Sequence, residues 1–385
     1  MRAYPWPKLL IVAAVAALPA VAEAGTGVRS AKSRAQVQHT ILVSRAYDGG
    51  APNGPSFAPA LGGGFWHVPR CIAFLSAASN LVSGDDNGKV DAFLSRGPGR
   101  LPVRMRLPDG SEPQTDVTEV AVSGDCSRAA FVAGGALYTY TPKKVRRVKA
   151  RGTASDPSFS TGFGNDLVFT AERGVYLSRG GIKRPSLVGP GGRNPAFNDI
   201  HKPSPRCKHR TVAYERKVGG HWQIYARRIG GRARIASRRR GSLGNGDSRD
   251  PVIGNAGCYI TFESDATNLG LNATRRKGDN NRQTDVYLYT AVRRITLVQS
   301  VWRKAIPLAA GGRNPSMSFY ANYIVFDSVA PLRNQFPMTP WQERSLRSAG
   351  VSSSQYRDPI PPENPPPPPP PKENRQVYMR YLGPV

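Results

Sequence analysis

The sequence predicts an all-β chain assembled from repeats, and three observations carry that expectation. Glycine (40 of 385 residues) and proline (35) are spread along the whole chain. No long helical periodicity appears, and one block of residues recurs far along the sequence. Glycine and proline punctuate short strands and break helices, and recurrence of a block marks an architecture of stacked units.

The recurring block has three parts. Phe74 to Leu81 reads FLSAASNL and is followed by Gly84 to Asn87 (GDDN) and Asp91 to Leu94 (DAFL). Its second copy reads FESDATNL from Phe262, then GDNN from Gly278 and DVYL from Asp285. Weaker copies keep a skeleton: an opening segment, an apolar strand ending in an aromatic, and a strand centred on a second aromatic. The openings are Pro55, Pro157, Pro195, Pro251 and Pro315, with Glu119 in that place where proline is absent. The paired aromatics are Phe74/Phe93, Phe131/Tyr138, Phe169/Tyr176, Tyr214/Tyr225, Phe262/Tyr287 and Phe326/Tyr378. Six copies of about four strands, spaced at roughly 40 to 60 residues, predict a six-bladed β-propeller with aromatics filling the layers between blades. An orphan strand at residues 40–45 is expected to complete the last blade by pairing with residues 376–382, closing the ring and covering its edges.

The phrases F-x-S-x-A-x-N-L, G-D-x-N, D-V-Y-L and N-P-S-F resemble the repeats of TolB-like propellers over about residues 39–382. The resemblance implies the propeller alone, without the N-terminal α/β domain through which TolB engages its envelope partners.

Residues 1–24 read as a signal peptide. Arg2 and Lys8 precede the apolar run Leu9–Leu18, Pro19 breaks it, and Ala22, Glu23 and Ala24 offer a cleavage site before Gly25. A basic segment (25–38) then leads into the propeller (39–385), which carries a proline-rich insertion at 330–374 ending in Pro365–Pro371. No later run is long and apolar enough for a membrane helix. The expectation is an exported monomer, periplasmic or extracellular.

Lys and Arg (54) outnumber Asp and Glu (26), a formal charge of +28 that attracts polyanions at long range. The densest clusters include Arg146, Arg147, Lys149 and Arg151; Arg227, Arg228, Arg232, Arg234, Arg238, Arg239 and Arg240; and Arg275, Arg276 and Lys277. Most fall in or beside the fourth strands, at the outer rim. The expected partner is an envelope protein or anionic glycopolymer, with neither nucleic acid nor a small-molecule substrate expected.

No cofactor is expected, although the G-D-x-N loops offer oxygens in the manner of a Ca²⁺ site: Asp85, Asp86, Asn87 and Asp91, then Asp279, Asn280, Asn281 and Asp285. Asp and Asn equally shape tight turns through local hydrogen bonds. His201, Cys207, His209 and His221 match no standard zinc spacing. The four cysteines all fall at the entrance to a second strand, so neighbouring blades predict the bridges Cys71–Cys126 and Cys207–Cys258. A binding scaffold is the expected function. The alternative is glycoside or lactone chemistry in the central channel, with Glu172, Glu215 and Glu263 as candidate carboxylates.

Overall fold

The computed structural model describes residues 43–62, 71–96, 100–160, 164–198, 209–239, 241–254, 257–269, 281–291, 295–298, 311–317, 323–328 and 376–381. No α-helix occurs among them. The first sheet is β1 (Ser56–Gly62), β2 (Cys71–Ser76), β3 (Asp91–Ser95) and β4 (Val103–Arg104). The second is β5 (Val117–Val122), β6 (Ala129–Ala133), β7 (Ala136–Thr141) and β8 (Lys144–Arg147). The third is β9 (Ser155–Phe159), β10 (Leu167–Ala171), β11 (Gly174–Ser178) and β12 (Ser186–Pro190). The fourth comprises β13 (Gly192–Phe197), β14 (Thr211–Val218), β15 (His221–Arg228) and β16 (Ala233–Ile235), and is followed by the hairpin β17 (Arg238–Arg239) and β18 (Ser242–Leu243). The fifth is β19 (Ser248–Ile253), β20 (Tyr259–Ser264), β21 (Asp285–Thr290) and β22 (Ile295–Val298). The sixth has three described strands, β23 (Arg313–Met317), β24 (Tyr323–Ser328) and β25 (Gln376–Tyr381).

Each sheet is an antiparallel meander in chain order, and each first strand adjoins the first strand of the next sheet. The seams between sheets are apolar. Leu75 and Met105 meet Val122 and Phe131 between the first and second, and Leu137 meets Phe159 and Phe169 between the second and third. Val175 and Leu177 meet Phe197 and Tyr214 in the next seam, then Ile224 meets Ile253 and Phe262, and Leu288 meets Phe326. Sheets buried on both faces explain why inner strands such as β3 and β6 read as nearly unbroken apolar runs. Successive four-stranded meanders stacked face to face are the blades of a β-propeller.

The paired aromatics fall directly opposite one another on the second and third strands of all six sheets. In the first five the rings stack with centroids 5.1 to 5.8 Å apart. Burying each such side chain is worth about 1.5–3 kcal/mol, so the repeat's most regular feature adds to the apolar packing of each of these five sheets.

Cys71 and Cys126 form a disulfide that joins the first and second sheets, with α-carbons 5.8 Å apart. Cys258 is disulfide-bonded as well, and its expected partner Cys207 lies outside the described residues. Gly62 passes directly over the first bridge: a Cβ there would stand 2.4 Å from Cys71 Sγ.

Every first strand carries a bulge. In five sheets a left-handed residue followed by proline forms it: Ala58, Asp156, Asn194, Asp250 and Asn314, with φ between 46° and 53°. This corrects two sequence assignments. The opening proline of the first sheet is Pro59, not Pro55, because the bulge lies between Phe57 and Ala60. In the second sheet Glu119 stands in the place of the residue before proline, and Val120, opposite Phe131, in the place of proline itself. A bulge leaves its backbone N–H without a ladder partner, and in the third to sixth sheets a side chain of the preceding sheet accepts it. Asp156 N donates to Glu119 Oε2 at 2.5 Å, Asn194 N to Thr170 Oγ1 at 3.1 Å, Asp250 N to Glu215 Oε1 at 2.9 Å, and Asn314 N to Glu263 Oε2 at 3.1 Å.

The expected N-terminal strand takes another form where it is described. Val43–Arg45 is a bend, with Arg45 N donating to Val43 O, and Val43 packs on the Phe74 and Phe93 cluster of the first sheet. Residues 40–42, the signal peptide, the proline run and the cluster at Arg275 lie outside the described residues.

Candidate polyanion groove

Two of the carboxylates the sequence offered as metal ligands, Asp85 and Asp91, are held by protein groups. Arg104, buried at the end of the first sheet, sits among Asp85, Asp91 and Glu112. Its Nη1 lies 2.8 Å from Asp85 Oδ1 and 3.4 Å from Asp91 Oδ2, while Nη2 contacts Glu112 and donates to Gly84 O at 2.7 Å. Asn87 donates to the Asp91 carboxylate and, at 3.1 Å, to Pro113 O, and it accepts from Lys89 N at 2.9 Å. Asp86 points to solvent. The loop is an Asx-type turn with the Arg104 guanidinium as the cation among its carboxylates. Ca²⁺ there would have to displace Arg104.

The second G-D-x-N loop repeats the turn: Asn281 accepts from Gln283 N at 2.8 Å and donates to Asp285 at 3.5 Å. Asp279 and Asn280 lie outside the described residues. Among the described residues no group of three or more His, Cys, Asp and Glu is placed to hold a metal ion. His221 pairs with Asp247 at 3.4 Å, and His201 is outside the described residues.

Burial, and then the neighbouring Asp85 carboxylate, push Asp91 up from 3.8 to about 6 against the pull of Arg104. Burial raises Asp85, Glu119 and Glu263 as well. Of the candidate catalytic carboxylates, Glu215 accepts from Asp250 N, Asn194 Nδ2 and Arg193 Nε, and Glu263 accepts from Asn314 N. Glu172 sits in the β10–β11 turn with its N–H on Arg151 O. Two of the three thus support bulges, and the third belongs to a different part of its sheet.

The basic clusters separate into distinct places. Arg146, Arg147, Lys149 and Arg151 line a groove of about 1070 Å³ between the second and third sheets. From across the groove, Arg173, Lys183 and Arg184 complete the lining with Lys144, giving eight cations and no carboxylate. None of the eight makes an ion pair among the described residues. Tyr176 and Leu187 supply its apolar floor. The sequence reading passed over Lys144, two residues before Arg146, and missed Arg173, Lys183 and Arg184 because they belong to the next sheet and only the seam gathers them.

Arg228, Arg232 and Arg234 line a smaller pocket between the fourth and fifth sheets. Arg227, assigned to the same polyanion cluster by sequence, is used inside the protein. Its Nη1 donates to Val188 O at 2.6 Å across the seam between the third and fourth sheets. Arg238 and Arg239 lie on β17, and Arg240 lies outside the described residues.

No protein-family profile matches the sequence, and no curated protein does. Among solved structures the chain is similar to one described as TolB from Agrobacterium tumefaciens, at 16% identity over 54% of this chain and 68% of that one (TM-score 0.38). It is similar also to the β-propeller domain of the Trilobed protease from Pyrococcus furiosus, at 9% identity over 71% and 79% (TM-score 0.44). A third is the hydrazine synthase of Kuenenia stuttgartiensis, at 11% identity over 76% of each chain (TM-score 0.43).

Proposed function

We propose that this chain is an exported, closed six-bladed propeller that binds a linear anionic polymer of the cell envelope along the outer edges of its second and third blades. The groove of eight cations and no carboxylate carries the reading. Closely spaced positive charges facing a common cleft repel one another and are relieved by a polyanion, whose condensed counterions are released on binding. Arginines add planar, bidentate donors suited to phosphate, sulfate and carboxylate.

Closure of the ring would cover an apolar face that the first sheet leaves open. Phe57 and Leu61 of β1 are 45% and 62% exposed, whereas the corresponding strands β5, β13 and β19 hold several buried residues against a preceding sheet. The sixth sheet is the remaining unit to cover β1. Export is supported by the Cys71–Cys126 bridge, which fits an oxidising compartment. No described helix is long and apolar enough to cross a membrane.

Binding is favoured over catalysis because Glu215 and Glu263 are committed to backbone N–H groups. The test is binding of long-chain polyphosphate and of heparin across a salt series. Affinity falls linearly on a log–log plot, and replacing Arg146, Arg147 and Lys149 by Ala lowers the slope by roughly 0.7–0.9 for each polymer charge that is no longer neutralised. Salt-independent binding, or an unchanged slope in the triple variant, overturns the reading.

A further inference from the structure

The groove and the smaller pocket occupy the same place in two different seams. On the outer strands, Arg146 stands opposite Thr139 and Arg234 opposite Ala226. Thr139 and Ala226 each follow the third-strand aromatic, Tyr138 or Tyr225, by one residue. Lys144 and Arg232 lie two residues earlier on those same strands or their approach, so a β-strand's period of two sets each pair of cations on one face. The opposing walls correspond as well, since Ser178 and Tyr289 each lie two residues beyond the aromatic of the following sheet.

This placement is not shared by every blade. At the positions of Lys144 and Arg146, the first sheet has Leu101 and Val103 and the fifth has Ile295 and Leu297. The third sheet keeps Arg184. Among the five sheets whose fourth strand is described, cations at these outward positions fall on the consecutive second, third and fourth, which a uniformly basic surface would not produce. In the intervening seam, Arg227 fills the corresponding space by binding Val188 O.

The pocket itself has a volume of about 30 Å³, against the roughly 10–15 Å³ of cavity that one water needs. Its lining has three arginines and His209 but no carboxylate, over Ala226 and Tyr289. None of the three arginines makes an ion pair among the described residues. Such a space admits part of one oxyanion group, not a length of chain.

We infer that the pocket is a second anion station, which takes a single phosphate or sulfate of the same linear polymer that lies in the groove. The inference rests on the polyanion reading and adds a length requirement to it. A chain long enough to reach from the second sheet to the fourth engages both stations, and the second binding event is intramolecular and gains avidity. Shorter chains engage one station at a time.

The experiment measures affinity for polyphosphate, and separately for dextran sulfate, as a function of chain length. The variants are R232A/R234A in the pocket, K144A/R146A in the groove, and K89A/R100A as a charge-matched control lining neither cavity. In the unaltered protein, affinity steps up by about tenfold or more once the chain spans both stations. R232A/R234A removes the step and leaves short chains within the change seen in the control, while K144A/R146A weakens every length. A step in either polymer supports the inference, and the arm that shows it identifies the oxyanion. Absence of a step, or a step that survives R232A/R234A, overturns the second station while the groove stands. If K144A/R146A also equals the control, the polyanion reading falls with it.

Discussion

Glu215 of the fourth sheet holds the backbone N–H of Asp250 in the fifth at 2.9 Å. The same carboxylate accepts from Asn194 Nδ2 at 2.9 Å and Arg193 Nε at 2.8 Å, and its residue is 1% exposed. Removing it leaves the bulge N–H of Asp250 without its acceptor, while Asn194 Nδ2 keeps Asp250 Oδ1 at 2.8 Å and Arg193 keeps Trp222 and solvent. Glu215→Ala is expected to cost about 3 kcal/mol, read by chemical denaturation, with Glu215→Gln costing less because it keeps an acceptor oxygen. Equal, small losses in both would show that water replaces the carboxylate.

Asp91 gives stability a definite pH dependence. Its folded-state pKa, about 6, lies above the ordinary 3.8, so the folded protein holds this proton more tightly than the unfolded chain. The resulting stabilisation is complete below about 3.8 and is lost as pH rises through about 6. Asp91→Asn is expected to flatten the fall in melting temperature between pH 4 and about 6.5. An unchanged slope would place the titration elsewhere.

The Cys71–Cys126 bridge closes a separation of 55 residues, and chain entropy assigns it about 4 kcal/mol. Removing this bridge alone, as in C71S/C126S, should lower stability by an amount of that order, and reductant, which also opens the Cys258 bridge, should lower it by at least as much. Gly62→Ala should destabilise the oxidised protein, because its new methyl meets Cys71 Sγ and, at 2.7 Å, Ser123 O. Thermal melts with and without reductant measure both. A G62A variant as stable as the parent would refute the close approach.

Arg227 and Arg146 belong to the same kind of sequence cluster but should respond differently to substitution. Arg227→Ala removes a charged donor from Val188 O and is expected to cost about 1.5–3 kcal/mol of stability, with polymer affinity falling no more than for one remote charge. Arg146→Ala should do the reverse. Paired melts and binding isotherms on the two variants test the division.

The aromatic pairs were legible because a second-strand residue and its cross-strand partner both face the seam, so their spacing in sequence reports directly on packing. Phe131 with Tyr138 and Phe262 with Tyr287 are examples. The bulges were less legible. A bulge adds one residue to a strand without changing its composition, so Pro55 and Pro59 look equivalent until the register places Ala58 in left-handed backbone. Arg104 was invisible among the candidate metal ligands because it lies 13 residues beyond Asp91 and meets it only through the fold. The groove was half legible for a related reason. Arg146, Arg147 and Lys149 adjoin in sequence, whereas Arg173, Lys183 and Arg184 reach them only across a seam.

The meander order of the sheets also sets a sequence of assembly. Each of the first five sheets is drawn from one contiguous stretch of chain, so its strands can pair as soon as that stretch is free, N-terminal units first. The sixth differs, because β24 pairs with β25 across residues 329–375. Closing that span costs roughly 3 kcal/mol more entropy than a two-residue turn. The C-terminal strand is therefore expected to dock last, and until it does the chain presents an unpaired edge on β24 to any neighbouring molecule.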